Sequence, residues 1–247
     1  MGGWWLPLLA APFAGSFFFV LVQRLPLDDP GLWGRSRCAA CGHALSAREL
    51  LPIVSFLVQR GRCRACGAAI PIGHLIAELV CVLFAAAAIA TGADGLVLWA
   101  GCLLGWTLLA LAWIDWAHFL LPDALTLPLL LAGLAEAWLA EPWEVTDRAL
   151  GAVAGYLAFR LLAEAYRRLR RREGLGQGDA KLLAAAGAWL GWQALPQVVL
   201  LAALFGLGLA LLARLRGASV GAATALPFGP PLAAAIFLLW LVQAWLG

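Results

Sequence analysis

Charged residues are scarce in this sequence. They make up 13% of the 247 residues, whereas a typical soluble domain carries about 25%. Hydrophobic residues make up 64%, against about 45–50% in a soluble domain. A soluble core of this size cannot hide so much apolar surface, so the composition excludes an ordinary soluble domain and predicts a membrane protein. The net charge of +3 is too small to indicate binding to nucleic acid.

Lysine and arginine are absent ahead of the first apolar run, residues 4–22. A secretory signal peptide begins with a basic segment and ends at a cleavage site of small residues. Neither feature is evident here, and the run is close to the ~20 residues that cross a bilayer. We therefore predict that residues 4–22 are retained as the first membrane span.

Long apolar runs dominate the rest of the chain. In lipid, backbone polar groups must be hydrogen-bonded internally, so such runs predict helices. The eight candidate spans are residues 4–22, 74–90, 95–114, 123–140, 148–166, 181–195, 196–213 and 226–246. The sixth is the shortest, and its junction with the seventh is predicted to be either a tight turn or a kink. The pattern predicts an all-α polytopic membrane protein with about eight transmembrane helices.

Basic residues cluster in alternate connections, after the first, fifth and seventh spans. These residues are Arg24, Arg35, Arg37, Arg48, Arg60, Arg62, Arg64, Arg167, Arg168, Arg170, Arg171, Arg172, Lys181, Arg214 and Arg216. The opposite connections are acidic, with Arg148 as the exception. The positive-inside rule places the basic connections in the cytoplasm and both termini outside. Seven spans would break this agreement, so we predict eight.

One polar segment, residues 23–73, interrupts the apolar pattern. We predict three parts: a first transmembrane helix at residues 1–22, a cytoplasmic loop domain at residues 23–73 and a seven-helix membrane core at residues 74–247. The loop holds four of the six cysteines, as two CxxC pairs that are each followed by glycine. These four are Cys38, Cys41, Cys63 and Cys66.

Paired CxxC turns are typical of a zinc ribbon, and four thiolates complete a tetrahedral zinc site. Such a closed site has no open position, so we predict a structural metal. Cytoplasmic disulfides are disfavoured, which leaves redox CxxC motifs or plain reduced thiols as the alternatives. Cys81 and Cys102 lie inside predicted spans and are expected to pack as small hydrophobic residues.

Two aspartates stand at predicted span ends, where acids are functional candidates. Asp115 closes the third span and has no basic neighbour in sequence. Asp179 follows three glycines and precedes the sixth span, where a helix N-terminus favours a carboxylate. If the two share a site, one can hold a proton while the other activates water, as in aspartic proteases. The alternatives are an interfacial, hydrated Asp115 and an Asp179 that only caps a helix.

Two neighbours of these acids receive other roles. Asp123 follows Pro122 and is predicted to be the N-cap of the fourth span, which makes it the rival of Asp115 for the first acid position. His118 lies between Asp115 and Asp123 and is expected to be interfacial.

Taken together, these motifs resemble the type IV prepilin peptidases, membrane aspartic proteases that process type IV pilins and type II secretion pseudopilins. The Gly-Gln-Gly-Asp element is also similar to that of presenilin-type proteases. The likeness covers nearly the whole chain: Gly15-Ser16, residues 24–26, the two CxxC pairs, Glu78, Ile114-Asp115, residues 121–126, residues 176–182 and residues 227–230.

The resemblance implies an activity and a location. It implies a bacterial inner-membrane enzyme in which Asp115 and Asp179 are catalytic and Asp123 is not. Its substrates would be prepilins or pseudopilins, cleaved after a glycine behind a short basic leader. Many members then methylate the new N-terminus with S-adenosylmethionine, for which Gly61, Arg62 and Glu78 are the candidate residues. The zinc-binding loop belongs to the bifunctional form.

The chain departs from the family pattern in the first two spans. Phe19 stands where the family has asparagine, and His74-Leu75 stands where a Tyr-Pro often precedes the glutamate. These changes lie away from both aspartates and bear on methylation rather than on cleavage.

Two other classes of protein remain as alternatives. An ion- or proton-coupled transporter would bind cations at acids near the midplane and show symmetry between its halves, neither of which is evident. A non-enzymatic membrane scaffold with a zinc module would leave the glycine-flanked Asp179 unexplained.

Overall fold

The computed structural model describes residues 3–27, 34–171, 176–217 and 226–246, and within these ranges the chain folds into nine α-helices. They are α1 (Leu6–Arg24), α2 (Val54–Val58), α3 (Gly73–Ala90), α4 (Gly95–His118), α5 (Asp123–Ala140), α6 (Val145–Arg170), α7 (Gln177–Leu190), α8 (Leu195–Leu215) and α9 (Gly229–Leu246). The only β pairing in these ranges is two isolated bridges in the loop between α1 and α3.

Seven helices in the described ranges are long and apolar enough to cross a membrane: α1, α3, α4, α5, α6, α8 and α9. Large hydrophobic side chains on their outer faces are exposed, for example Leu9, Leu83, Leu131 and Leu207. Lipid can cover these side chains, as the composition predicted. The prediction of an all-α, multi-pass membrane protein is confirmed.

The sixth predicted span forms α7, which differs from the other seven. It has 14 residues, about 21 Å at 1.5 Å per residue, whereas the hydrocarbon core of a bilayer is about 30 Å thick. From Asp179 onward almost every residue of α7 is buried. The helix ends at Leu190, and Gly191, with a φ of 79°, makes the tight turn that leads through residues 192–194 into α8. Of the two predicted junctions, the turn is observed.

Glycines let α6 and α7 pack backbone against backbone. A Cβ on Gly187 would lie 2.2 Å from the carbonyl carbon of Gly151, and one on Gly155 would lie 2.6 Å from the carbonyl oxygen of Leu183. The two helices therefore run antiparallel. This pairing brings the N-terminus of α7 beside the middle of α6, near Phe159.

Aromatic contacts tie α1, α3 and α4 together at one end of the bundle. The Phe19 ring lies 4.5 Å from the His74 ring and 4.9 Å from the Trp113 ring, between ring centroids. His74 begins α3 directly after the cysteine-containing loop, and Trp113 precedes Asp115 by two residues. The loop and Asp115 therefore lie at the same end.

Arg148, the exception in the charge pattern, is half-buried and lies among acids at the opposite end. Its guanidinium lies 3.3 Å from Glu136, 2.9 Å from Glu144 and 3.7 Å from Glu141. It also donates a hydrogen bond to the carbonyl oxygen of Trp189, near the C-terminus of α7. Arg148 thus joins α5, α6 and α7, which accounts for a lone positive charge on the acidic face.

Candidate active site and metal centre

The two CxxC pairs form matching turns. In the first, Cys38 N–H donates to His43 O and Gly42 N–H donates to Cys38 O; in the second, Cys63 and Gly67 make the same pair of bonds. Gly42 and Gly67 have φ values of 71° and 72°, which glycine adopts without strain. The glycine after each pair is therefore required by the turn, as the sequence indicated.

These turns bring the four thiols together. All four Sγ atoms lie within 4.8 Å of one another, and the Cys38 and Cys66 Sγ atoms are 3.9 Å apart. A zinc tetrahedron with Zn–S bonds of about 2.3 Å has edges of about 3.8 Å. The cluster fits a tetrahedral metal.

The other two cysteines have no such partners in the described structure. Cys81 and Cys102 are fully buried in the apolar core, in α3 and α4. They pack as small hydrophobic residues, as predicted.

Asp115 lies in the last turn of α4, with its carboxylate buried against the start of α9. The Gly229 N–H donates to Asp115 Oδ2 at 2.8 Å. A Cβ on Gly229 would lie 2.7 Å from that same oxygen. Only a glycine lets the first turn of α9 approach the carboxylate so closely, and the helix N-terminus there favours a negative charge.

Asp179 lies in the first turn of α7, where it is also buried. Its Oδ2 accepts a hydrogen bond from the Gly176 N–H at 3.2 Å. Gly178 permits a second close approach, because a Cβ there would lie 2.7 Å from the Leu121 Cβ. Of the three glycines in the motif, Gly174 lies outside the described residues.

The two carboxylates interact electrostatically, since the charge of Asp115 acts on Asp179. Each is buried and each accepts a hydrogen bond from a backbone amide at the start of a helix. The structure thus brings together the two acids that the sequence singled out. Asp179 also caps its own helix, so its capping role and its place in the pair coexist.

Asp123 was predicted to be the N-cap of the fourth span, and this prediction is wrong. Pro122 is the N-cap, and Asp123 is the first residue of α5, without a side-chain capping bond. Its half-exposed carboxylate forms an ion pair with Lys181 in the first half of α7. The Leu125 and Thr126 N–H groups donate to Pro122 O, so the helix begins one residue too early for Asp123 to cap it. The ion pair instead links α5 to the segment that carries Asp179.

A cavity of about 300 Å³ separates the cysteine loop from the ends of α1 and α3. Glu78 lines it, together with Ser16, Arg24, His74 and Phe56. The candidate methylation residues Gly61 and Arg62 instead shape the second CxxC hairpin: Ile70 N–H donates to Gly61 O, and Arg62 pairs with Ala69.

Sequence reasoning missed Gly229 as a partner of Asp115. The two residues are 114 positions apart, so no local pattern links them. The one available signal was the Pro-Phe-Gly-Pro stretch before the last span, in which a glycine stands between two prolines.

The fold and the site together define a polytopic membrane protein with a buried carboxylate pair and a four-thiol loop at one end. The chain belongs to the Type IV leader peptidase family: that family's model matches residues 102–211, and the model of the bacterial peptidase A24 N-terminal domain matches residues 9–91. No solved structure matches the chain.

The chain is also similar to several proteins described as prepilin leader peptidase/N-methyltransferase. One from Aeromonas hydrophila is 41% identical, over 95% of this chain and 90% of that protein. One from Aeromonas salmonicida is 45% identical over the same shares. One from Burkholderia pseudomallei (strain K96243) is 42% identical, over 89% of this chain and 79% of that relative's length.

Proposed function

We propose that the protein cleaves the leader peptide of type IV prepilins or type II secretion pseudopilins, with Asp115 and Asp179 as its catalytic acids. The observation that carries this proposal is the buried pair of interacting carboxylates, each held by a helix-start amide. The relatives' names state the same activity. A transporter is not supported, because the acids lie at helix ends and the relatives are peptidases.

Cleavage follows from the chemistry of such a pair. Two close carboxylates hold one proton between them, since both cannot ionise easily in one site. The ionised acid takes a proton from water, which attacks the scissile carbonyl, and the other acid protonates the departing amine. The Gly229 and Gly176 amides hold the carboxylates in place throughout the reaction.

The location of the pair suits a substrate with a basic leader and an apolar segment. The basic connections of this chain indicate that the acids lie at the cytoplasmic face, with both termini in the periplasm. The apolar part of the substrate would pack among the helices in the inner membrane, in contact with lipid, while its leader stays in the cytoplasm. Nothing in the charge pattern favours nucleic acid as a partner.

We assign a structural zinc ion to Cys38, Cys41, Cys63 and Cys66. Four thiolates with tetrahedral spacing suit zinc and leave no open coordination position. A loop domain of this size, residues 23–73, buries little core of its own and gains stability from such a site.

The same end of the bundle can serve N-methylation. The cavity beside Glu78 lies near the face where cleavage releases the new amine, and the relatives are named as methyltransferases. S-adenosylmethionine would supply the methyl group there. Gly61 and Arg62, in the adjacent hairpin, remain candidates to contact it.

Cleavage of a prepilin-like substrate by purified protein tests the main proposal. The wild type should release a leader-sized fragment, and Asp115→Asn should abolish that release because the pair loses an ionisable group. Asp123→Asn is the matched control, since it removes a neighbouring acid outside the pair and should still cleave. Full cleavage by Asp115→Asn, or loss of cleavage only in Asp123→Asn, would contradict the assignment.

A further inference from the structure

The Glu78 carboxylate connects the cysteine loop to the membrane helices. Glu78 is only 5% exposed, and its Oε2 accepts a hydrogen bond from the Ile53 N–H at 2.6 Å. Ser16 of α1 lies beside the same carboxylate and lines the same cavity. One buried side chain of α3 therefore bonds a loop residue next to α1.

Ile53 adopts a strained backbone conformation that needs support from neighbouring residues. Its φ and ψ are 60° and −55°, and the Val54 N–H donates to Pro52 O across it at 2.5 Å. This is the γ-turn that is rare and strained, and a β-branched residue makes it less favourable still. Such a conformation persists only where the surroundings impose it. The bond from the Ile53 N–H to Glu78 supplies such a contact from outside the loop, beside the local bond in which Ile53 O accepts from the Leu57 N–H.

The turn at Ile53 sets the position of the cavity wall. It leads directly into α2, from which Ser55 and Phe56 line the cavity. The Phe56 ring also lies under Gly61, where an added Cβ would be 3.1 Å from the ring. Moving the turn would therefore shift both α2 and the second CxxC hairpin.

We infer that Glu78 is a positioning residue, which docks the cysteine loop onto α1 and α3 through Ile53 and so forms the cavity. The inference rests on the proposed methylation for its effect on activity, but the docking is a property of the fold. It differs from a direct contact between Glu78 and a cofactor, because Glu78 Oε2 is already bonded to the loop's own Ile53 N–H.

Two variants of the full-length, zinc-loaded protein separate these roles. Glu78→Gln keeps an oxygen that can accept from Ile53 and removes the charge. Glu78→Met has a similar length and no comparable acceptor. The measurements are amide hydrogen exchange across residues 53–59 and the rate of methyl transfer from S-adenosylmethionine to a cleaved substrate. Zinc content and helical circular dichroism check that each variant is folded.

Positioning predicts that Glu78→Gln slows methyl transfer only to the extent that it speeds exchange at Ile53. Glu78→Met should speed exchange at Ile53 by about tenfold or more and slow methyl transfer to a similar extent, as loss of a hydrogen bond to a charged group implies. Unchanged exchange at Ile53 in Glu78→Met would overturn the docking role. A Glu78→Gln that keeps wild-type exchange but loses methyl transfer would show that Glu78 acts on the reaction directly, and would overturn its assignment as a positioning residue. A wild type that transfers no methyl group would refute the methylation proposal alone, since the exchange result still decides the docking.

Discussion

Two backbone amides, from Gly229 and Gly176, fix the carboxylates of the candidate site. The Gly229 contact is the tighter, and it leaves no room for a side chain because an added Cβ would meet Asp115 Oδ2 at 2.7 Å. At the scale of single residues, the site therefore depends on a glycine at position 229 as much as on the two acids.

Gly229→Ala should displace the Asp115 carboxylate and lower the cleavage rate by about a hundredfold, the scale of a misplaced catalytic group. Gly206→Ala in α8 is the matched control, since its nearest described contact would be an ordinary 3.8 Å. Cleavage rates of the two purified variants decide the matter. Equal activity in both would show that the Gly229 contact is not needed.

The metal site makes a second prediction at residue scale. Cys63→Ala should reduce bound zinc from about one ion per chain to almost none, because a tetrahedral site loses one of its four ligands. Cys102→Ala, in the apolar core, should leave the zinc content intact. Elemental analysis of the purified variants measures both, and full zinc in Cys63→Ala would remove the loop cysteines from the site.

Helix α7 is the element on which the geometry of the site depends. It carries Asp179 at one end, and Arg148 and Gln243 donate to its carbonyl oxygens at the other. Trp189 also donates to Leu129 O of α5 at 2.8 Å. These bonds fix the short helix along its axis, which sets the depth of Asp179.

Gly187→Ala should push α7 away from α6, since the new Cβ would lie 2.2 Å from the Gly151 carbonyl carbon. Overpacking of this kind costs about 1–3 kcal/mol, and a displaced Asp179 should also lower activity. Gly208→Ala is the control, because no described atom lies within 4 Å of a Cβ there. Thermal unfolding of the Gly187→Ala and Gly208→Ala variants in detergent tests this prediction. Identical unfolding midpoints would contradict the packing argument.

Sequence patterns predicted the elements better than their contacts. Apolar runs located the seven long helices and the shorter α7, and CxxCG spacing located the thiol cluster, because these signals are local. The burial of α7 was not predictable, since its apolar residues serve equally for lipid or protein neighbours. The Asp115–Gly229 and Asp123–Lys181 contacts join distant segments, so only the folded chain reveals them.

For the whole molecule, the charge pattern predicts a topology. A reporter that is active only in the periplasm should be active at either terminus and inactive when inserted after Arg216. The reason is that arginine-rich connections stay in the cytoplasm. Strong activity after Arg216, or none at the termini, would reverse the assigned orientation and place the acids on the wrong face for a cytoplasmic leader.

The central claim is that Asp115 and Asp179 act as one catalytic unit. Cleavage rates of Asp115→Asn, Asp179→Asn and the double variant on a prepilin-like substrate test it most directly. Residues that act as a unit are strongly non-additive, so each single variant should lose cleavage and the double variant should be no slower than either. Measurable cleavage by both single variants, with independent losses that multiply in the double variant, would contradict the account.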